Sequence, residues 1–323
     1  MNLLKKALKK LDGLHYPQDY LCFAREMFQQ PLHLYLVQQG RVLKDITGLH
    51  AFVGYCPVVF AFPAFPEISN NTVLQTMLGP AGLSTGEKYS RRQAVAQLSF
   101  KPINRQATTE GEILYFEAVR GRHRLTNAFH QAVGQLYNRL YNQQPGNVYL
   151  QGNLYKQVQL AYALPRKVCL ITVGQNNCYN LFPTDLHGQM NSGFYVISLR
   201  HAGKACEQVM TTQKIVLSEM KAAAFKQVYS LGKNHMLPLK EATAFDFSPD
   251  CSNQWSLPLP KEYTGYKELQ LIDSFRAGIH QLLLFQITSE EQCDSDPQTL
   301  VHVHNLYATW RQKNGLQGNY LLR

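Results

Sequence analysis

The sequence lacks the long apolar runs and the cysteine patterns that define membrane and disulfide-rich proteins. Its longest apolar stretch, residues 51–65, is interrupted by prolines and is shorter than the roughly 20 residues that a membrane-spanning helix needs. The start, MNLLKKALKKLDGL, has lysines throughout and no uninterrupted apolar core of the kind that a secretory signal contains. We therefore expect a cytoplasmic protein that does not associate with membranes.

The cysteines include no C-x-x-C pair, so the common zinc and redox motifs are absent. Several of them, such as Cys169, lie in apolar company, which indicates free thiols in a reducing compartment. His302 and His304 alternate along one predicted strand, but no third ligand is in register and we predict no metal site. Asp185 and His187 suggest an acid–base pair, yet no nucleophile motif such as G-x-S-x-G surrounds them.

Acidic residues are scarce relative to basic ones, with 22 Asp and Glu against 32 Lys and Arg and a net charge of +10. Almost all of this excess lies in residues 1–160, and it is densest at Arg91-Arg92, at Arg105 and at residues 120–124. An anionic partner would explain such a basic half, and so would an ordinary solvated face. No nucleic-acid-binding motif or aromatic platform accompanies the arginines, so nucleic-acid binding by the basic N-terminal half is the disfavoured alternative.

The first half of the chain alternates short helical and strand patterns. Residues 1–11 have the apolar spacing of an amphipathic helix, and residues 32–49 alternate around Gln39-Gly40 as a β-hairpin does. Strands follow in 51–65, and the later part predicts a strand over 113–119, a basic turn, and a helix from Thr126 to Tyr141. Pro145-Gly146 after that helix is the predicted boundary between an N-terminal α+β domain, residues 1–147, and a second domain, residues 148–323.

The second half predicts several short strands with small connections. The predicted strands cover residues 168–173, 193–200, 214–220, 268–275, 280–288 and 299–306. The predicted helices cover residues 203–212 and a segment after 220 that ends at Gly232 with a left-handed cap. This pattern predicts an α+β chain whose C-terminal half is a small antiparallel β-barrel with flanking helices.

One segment, NLFPTDLHG at residues 180–188, interrupts two β-rich stretches with more turn residues than a tight turn needs. Pro183 has no N–H and would leave the amides of Leu181 and Phe182 free, while Asn180 offers both a donor and an acceptor. We interpret the segment as a deformed strand that presents its backbone to the edge of a flat ligand.

Two pieces of the second half resemble one known family. The runs ITVGQNNCYNLFPTDLHG and GFYVISLRHAGKACEQV, followed by LPLPKEYTGYKELQLIDSFRAGIHQLLLFQITSEE, resemble the FMN-binding split barrel of flavin reductase-like proteins. The element Gly278-Ile279-His280 is similar to the Gly-x-His element of that family. The resemblance covers about residues 160–310 and implies a C-terminal antiparallel split β-barrel that binds FMN, with FAD as the alternative. It also implies NAD(P)H as co-substrate and a homodimer, because the flavin sites of the family lie near a subunit interface.

The resemblance also implies which residues hold the flavin. The expected cofactor-binding residues are Thr172, Asn180, Leu181, Phe182, Pro183, Thr184, Ser198, Leu199, Arg200 and Lys204. Arg200 and Lys204 flank the start of the helix predicted at 203–212, where free amides, the helix dipole and a planar guanidinium favour a phosphate. His280 is the expected catalytic contact to flavin or nicotinamide. A flavin- or haem-binding protein without turnover is the second interpretation, because a fold does not fix a function. Residues 1–147 have no role that the sequence defines: they could cap the flavin site, which is the preferred interpretation, extend the dimer interface or bind another molecule.

Overall fold

The structure is a computed structural model that describes residues 3–16, 18–24, 32–66, 68, 74–90, 92–141, 148–293, 298–316 and 318–322. Arg91 and the predicted boundary at Pro145-Gly146 lie outside these residues. Within them the chain is a mixture of six α-helices and many antiparallel strands, as the sequence predicts. No helix in these ranges is long and apolar enough to cross a membrane.

The helices are α1 (Leu3–Leu11), α2 (Ala128–Tyr141), α3 (Asn153–Ala161), α4 (Lys204–Thr212), α5 (Phe225–Ser230) and α6 (Asn305–Lys313). The strands of the first half are β1 (Tyr20–Ala24), β2 (Leu32–Gln38), β3 (Arg41–Asp45), β4 (Ala51–Tyr55), β5 (Val58–Pro63), β6 (Leu74–Pro80), β7 (Ala96–Thr108) and β8 (Gly111–His123). Those that follow are β9 (Arg166–Lys167), β10 (Cys169–Gln175), β11 (Cys178–Thr184), β12 (His187–Gln189), β13 (Phe194–Arg200), β14 (Lys214–Met220) and β15 (Lys240–Glu241). The last are β16 (Phe247–Cys251), β17 (Pro258–Pro260), β18 (Tyr263–Ala277), β19 (His280–Gln292), β20 (Leu300–His304) and β21 (Leu321–Leu322).

Two large antiparallel sheets account for most of these strands. In the described residues, the N-terminal sheet has seven strands in the order β3-β2-β6-β7-β8-β5-β4, and the C-terminal sheet has eight in the order β12-β13-β19-β18-β14-β10-β11-β15. Neither order closes into a ring over this part of the chain, so the predicted split barrel is not confirmed. A smaller sheet, β21-β1-β20-β9, pairs Leu21 with Val303 and so combines residues from both sides of the predicted boundary.

The predicted hairpin around Gln39-Gly40 is confirmed. Both residues have positive φ, 49° and 76°, which is the conformation that a two-residue hairpin turn with the right twist requires. Asn176 and Asn177, with φ of 51° and 60°, make a turn of the same kind between β10 and β11. Asparagine and glycine tolerate this left-handed conformation better than other residues, so Gly40, Asn176 and Asn177 mark the two turns in the sequence, whereas Gln39 adopts the conformation without such a preference.

The basic turn predicted at residues 120–124 is wrong, because β8 continues to His123. Arg120 and Arg122 lie on the exposed face, while Gly121 and His123 alternate with them on the buried face. A side chain at Gly121 would come within 3.1 Å of the backbone of Gln157, so this glycine allows α3 to pack directly on the strand. The clustered arginines are therefore the solvated face of a strand.

The helix predicted to end at Gly232 is also different in the structure. A 3₁₀ turn at Ala222–Ala224 precedes α5, and a second 3₁₀ segment, Leu231–Met236, runs through Gly232 with no left-handed cap there. The second segment is held to the edge of β11 by two side chains, since Asn234 Nδ2 donates to the Leu181 carbonyl at 2.8 Å and His235 Nε2 lies 2.8 Å from the Pro183 carbonyl. These tertiary contacts override the local helical pattern.

The two large sheets share one apolar core. Its buried members are Ala51, Val53, Val59, Ala61, Ile113 and Tyr115 from the N-terminal sheet, and Met190, Phe194, Val196, Ala277, Leu282 and Leu284 from the region of the C-terminal sheet. Polar contacts border this core, since Gln106 Nε2 donates to Asp273 Oδ2 at 2.7 Å and the Ile279 amide donates to the Cys56 carbonyl at 3.1 Å. Because burial of apolar surface is the main favourable term in packing, this core fixes the sheets against each other.

Candidate functional site

A cleft of about 570 Å³ opens where the N-terminal segment, the end of α3 and the C-terminal sheet meet. Its lining residues are Asp19, Tyr20, Tyr55, Val148, Leu150, Val158, Tyr162, Val168, Pro183, Thr184, Asp185, Arg200, Tyr229, Gly232, His235 and His302. Four of these are tyrosines, each from a different part of the chain. The cleft therefore combines flat aromatic walls with a small number of charged groups, which is the usual composition of a small-molecule site.

A charged network forms one wall of the cleft. The Arg166 guanidinium donates to Asp185 Oδ2 from Nη2 at 2.9 Å and from Nε at 3.2 Å, and His302 Nε2 lies 2.7 Å from the same oxygen. Arg166 Nη2 also contacts His302 Nε2, and Nη1 donates to the carbonyls of Ala161 and Leu164. The network ends at Tyr229, whose hydroxyl lies 2.9 Å from His302 Nδ1.

The charge state of this network follows from its geometry. Burial alone would raise the pKa of the Asp185 carboxyl, but the adjacent His302 and Arg166 hold that pKa well below its usual range. Asp185 is therefore ionised. It accepts hydrogen bonds from its two partners and cannot act as a proton donor. A buried pair of this kind needs every partner, because removal of one leaves a charge without compensation.

Tyrosine rings surround the network on the cleft side. The Arg166 guanidinium lies 4.2 Å from the centroid of the Tyr162 ring, and Tyr162 stacks at 10° to the His302 ring at 6.4 Å. Tyr20 meets Tyr162 edge to face at 5.2 Å. Burial raises the pKa of both Tyr20 and Tyr162, so their hydroxyls stay protonated and can donate hydrogen bonds.

Arg200 also lines the cleft and is the last residue of β13. Its guanidinium donates to the Tyr55 hydroxyl and lies 5.6 Å from the centroid of the Tyr55 ring, while the Arg200 residue itself remains exposed. Burial raises the pKa of Tyr55 as well. An arginine with one partner and an exposed surface can still bind an anion through its remaining donors.

Three of the residues predicted from the sequence line the cleft: Pro183, Thr184 and Arg200. Leu181, Phe182 and Leu199 are buried in the apolar cores instead, and Thr172 is a buried polar residue of β10. Lys204 is exposed in the first turn of α4, which Gly203 precedes as predicted, and forms an ion pair with Glu207 at 2.8 Å.

Asn180 and the strand around it differ from the deformed strand that the sequence suggested. β11 pairs with β10 in one continuous register from Cys178 to Thr184, with Pro183 opposite Leu170. Asn180 Nδ2 donates to Gln208 Oε1 at 2.7 Å and to the Asn234 carbonyl at 3.0 Å, so this side chain holds neighbouring segments together. The prediction of a deformed strand is therefore wrong. The outer edge of β11 contacts the 3₁₀ segment after α5, which occupies the place that the sequence suggested for a ligand.

His280 is buried and does not line the cleft. Its Nδ1 lies 2.9 Å from Ser198 Oγ, and the Tyr55 amide donates to Nε2 at 3.4 Å. Burial lowers the pKa of His280 to about 4, so the ring is neutral at physiological pH. Through these two contacts, Ser198 and His280 connect the C-terminal sheet to the backbone amide of Tyr55 in β4.

The other histidines have separate surroundings. His187 contacts the Tyr195 hydroxyl at 2.7 Å rather than Asp185, so the acid–base pair suggested by the sequence is not formed. His304 Nδ1 accepts from the Leu306 amide at 3.0 Å and caps α6. Over the described residues, no group of three or more His, Cys, Asp and Glu side chains is placed to hold a metal ion.

Sequence reasoning missed the four tyrosines and Arg166. The tyrosines come from β1, β4, the end of α3 and α5, so no local spacing relates them. The sequence suggested Asp185 as part of an acid–base pair and His302 as a metal ligand. Their common partner, Arg166, lies in a two-residue strand without a motif. Only the tertiary fold brings these groups together.

Comparison with known proteins gives partial structural likenesses. No family model matches the chain, and no curated protein matches it. Among solved structures, the NADH:FAD oxidoreductase SgcE6 of Streptomyces globisporus C-1027 is 11% identical over 56% of this chain and 99% of its own, with a TM-score of 0.42. BorF, the flavin reductase component of a bacterial two-component tryptophan halogenase, is 16% identical over 52% of this chain and 98% of its own, with a TM-score of 0.41. Flavin reductase PheA2 is 14% identical over 51% of this chain and 94% of its own, with a TM-score of 0.38.

Proposed function

We propose that the protein binds FMN in this cleft and is a flavin reductase-type oxidoreductase that takes hydride from NAD(P)H. The observation that carries the proposal is that Pro183, Thr184 and Arg200, chosen from the sequence as flavin contacts, lie together on the wall of a tyrosine-lined cleft. The flavin is assigned to the predicted domain 148–323, and residues 1–147 contribute Tyr20 and Tyr55 as a cap.

The cleft has the size and surface that a flavin ring needs. Its volume of about 570 Å³ lies within the range of small-molecule sites, which is roughly 300–1,000 Å³. Flat aromatic side chains pack well against a flat conjugated ring, and neutral phenols can donate to its oxygen and nitrogen edge. Tyr20 and Tyr162 meet both requirements because burial keeps their hydroxyls protonated.

Arg200 is the residue assigned to the phosphate. Its exposed guanidinium lines the cleft and, within the part of the chain that the structure describes, donates to the Tyr55 hydroxyl alone, so a phosphate would meet a planar fork of donors. Lys204 follows four residues later and adds positive charge, reduced by its ion pair with Glu207. The tyrosines and Arg200 of the cleft thus suit the two parts of FMN, an aromatic ring and a dianion.

The cofactor would supply the redox chemistry itself, since flavins accept hydride without a protein nucleophile. The role of this chain is then to position the ring and to keep water away from it. Asp185 does not serve as an acid, because Arg166 and His302 hold it ionised. Tyr162 and Tyr229 flank the charged network and would orient the ring relative to it.

The test is the absorbance spectrum of purified protein after addition of FMN and desalting, followed by anaerobic NADH or NADPH. Retained bands at roughly 370 and 450 nm that bleach with the nicotinamide support the proposal. Retained bands that do not bleach would replace the reductase with a flavin-holding protein, and no retained flavin would refute both.

Two variants make this test specific. Arg200→Ala removes a charge-assisted hydrogen bond of about 1.5–3 kcal/mol, so the dissociation constant for FMN should rise roughly 10- to 100-fold. Arg120→Ala removes the same kind of side chain from the exposed face of β8, away from the cleft, and should leave FMN affinity unchanged. Equal affinities of both variants would contradict the assignment of Arg200.

A further inference from the structure

The two large sheets have the same topology. If the strands of each sheet are numbered by their order in the chain and the two-residue strand β15 is left out of the numbering, β2 to β8 lie side by side in the order 2-1-5-6-7-4-3. The strands β10, β11, β12, β13, β14, β18 and β19 lie in the same order 2-1-5-6-7-4-3, with the short β15 added at one edge. Every one of these pairings is antiparallel in both sheets.

The connections agree as well as the order. The first hairpin of each sheet has a two-residue turn with both residues at positive φ, Gln39-Gly40 in one and Asn176-Asn177 in the other. The last hairpin of each sheet is long and also turns over two residues, after Thr108 in one and after Ala277 in the other. The chain therefore contains an internal structural repeat, which we call the N-terminal copy (residues 32–123) and the C-terminal copy (residues 169–292).

The strand registers identify equivalent residues. Counted from the last hairpin turn, Tyr115 of β8 corresponds to Leu284 of β19. Tyr115 pairs with Ala61, which pairs with Ala51, and Leu284 pairs with Val196, which pairs with Gly188. Ala51 and Gly188 are therefore equivalent positions of the two copies.

These equivalent positions touch each other. A Cβ atom built on Gly188 would lie 2.6 Å from the Cβ of Ala51. In a two-fold symmetric pair, only a residue next to the axis contacts its own equivalent. The axis of a pseudo-two-fold thus passes between Ala51 and Gly188.

The shared apolar core obeys the same symmetry. Four of its six members from the N-terminal copy have equivalents among its six members from the C-terminal copy: Val59 and Phe194, Ala61 and Val196, Ile113 and Leu282, and Tyr115 and Leu284. Each copy therefore buries the same patch against the other, which is the definition of an isologous interface.

We propose that the protein is a covalently fused pseudo-dimer that works as a monomer with a single ligand cleft per chain. The N-terminal copy serves as the partner that a second subunit would supply, and it replaces the homodimer expected from the family resemblance. It completes the site with Tyr55, whose hydroxyl accepts from Arg200 and whose amide donates to His280.

The N-terminal copy has different side chains at the positions that correspond to Arg200, Ser198 and His280. By the same register, Phe65 stands where the C-terminal copy has Arg200, Pro63 where it has Ser198, and Gly111 where it has His280. Phe65 stacks at 9° on Phe62 and has no fork of donors for an anion. Lys44 Nζ lies 4.1 Å from the Phe65 ring centroid, but an ammonium is a point charge without the planar fork of a guanidinium. The presence of an arginine at only one of these two equivalent positions predicts one flavin per chain, a stoichiometry that rests on the proposed function.

The first test is the mass of the ligand-free protein in solution, measured by sedimentation equilibrium over a wide range of concentrations. A monomer of 36.8 kDa is expected, and a stable dimer would overturn the proposal. Because this measurement contains no flavin, its outcome does not depend on whether the protein binds FMN.

The second test is the FMN stoichiometry of the full chain by equilibrium dialysis, with Arg200→Ala beside the parent. One FMN per parent chain, lost in Arg200→Ala at the same free concentration, supports the single cleft. Two per chain, or one that survives in Arg200→Ala, would overturn it. A monomer that binds no FMN would refute the proposed function and the stoichiometry, while the fused pseudo-dimer would stand on the mass.

Discussion

Asp185→Asn should destabilise the protein strongly while a matched surface variant does not. The Asp185 side chain is 18% exposed, and Arg166, which is paired with it, is 8% exposed. Loss of one member of a buried ion pair typically costs about 3–5 kcal/mol, because the remaining charge stays buried without compensation. At roughly 2 °C per kcal/mol for a chain of this size, the melting temperature should fall by about 6–10 °C at pH 7.

The control is Asp246→Asn, which makes the same change in an exposed ion pair. Asp246 pairs with Lys261 at 2.5 Å, and both side chains are more than half exposed. Such pairs contribute about 0–1 kcal/mol, so the melting temperature should move by no more than about 2 °C. Differential scanning fluorimetry of the parent and both variants measures the difference. If Asp185→Asn shifted the melting temperature no more than Asp246→Asn, the charged network would not stabilise this region.

The effect of Asp185→Asn should also depend on pH in a defined direction. The pKa of Asp185 is lowered in the folded protein, so its contribution is complete above the pKa of an unfolded aspartate, about 3.9. That contribution is lost as the pH falls from there toward the folded-state pKa. The gap in melting temperature between parent and variant should therefore be constant from about pH 6 to 8 and should narrow below about pH 4. A gap that widens on acidification would refute an ionised Asp185.

Three further predictions concern the contact between the copies. Gly278→Ala should lower the melting temperature more than Gly40→Ala. Both glycines have positive φ, but only at Gly278 would the new methyl group overlap the Cys56 carbonyl of the N-terminal copy. Equal shifts in melting temperature would contradict close packing at Gly278. Tyr55→Phe removes only the hydroxyl that accepts from Arg200, so it should raise the dissociation constant for FMN by roughly 3- to 10-fold and leave the protein a monomer in solution. Titration of the variant with FMN measures the first effect, and sedimentation equilibrium measures the second. His280, with its folded pKa lowered to about 4, favours the folded state less as the pH falls from about 6.5 toward 4, so thermal scans of His280→Asn should show a shallower loss of stability over that interval than the parent.

The parts of the fold that were predictable from the sequence depend on local signals. Gln39-Gly40 needs positive φ, and the alternation on either side of it has the period of a strand, so the hairpin is encoded within a few residues. The end of β8 was not predictable in this way, because Arg120 and Arg122 look like a loop until α3 is known to cover the other face of the strand. Gly232 likewise resembles a cap only while the contacts of the following segment with β11 are unknown.

The residues of the candidate site also differ in how far local sequence signals indicate their role. Arg200 could be selected from the sequence because a basic residue before a helix start is a local pattern. Arg200 lies on the cleft, and its binding to a phosphate stays a prediction. Asn180 was selected for its donor and acceptor groups and His280 by family resemblance, yet their side chains hold segments of the protein together. A polar side chain that binds a ligand and one that satisfies the backbone have the same sequence signature, and only burial and partners distinguish them.

The internal repeat left no trace that single residues could reveal. At equivalent positions, Phe65 corresponds to Arg200 and Gly111 to His280, pairs without common chemistry. What the two copies share is strand order and register, which many different side chains can satisfy as long as the buried faces stay apolar. The equivalence of the two copies is therefore visible in the hydrogen-bonded pairing of their strands and not in their amino-acid identities.

Fusion explains why the two copies could diverge in this way. In a homodimer, a change from arginine to phenylalanine at the phosphate position alters both sites, so ligand binding is lost altogether. In a fused chain the same change affects one site only, and the copy that loses its ligand is free to specialise as a wall of the other. Tyr55 fits this account, because it belongs to the N-terminal copy but contacts Arg200 and His280 of the C-terminal copy. The apolar core around Ala51 and Gly188 remains under constraint in both copies, since either side of an isologous interface must still match the other.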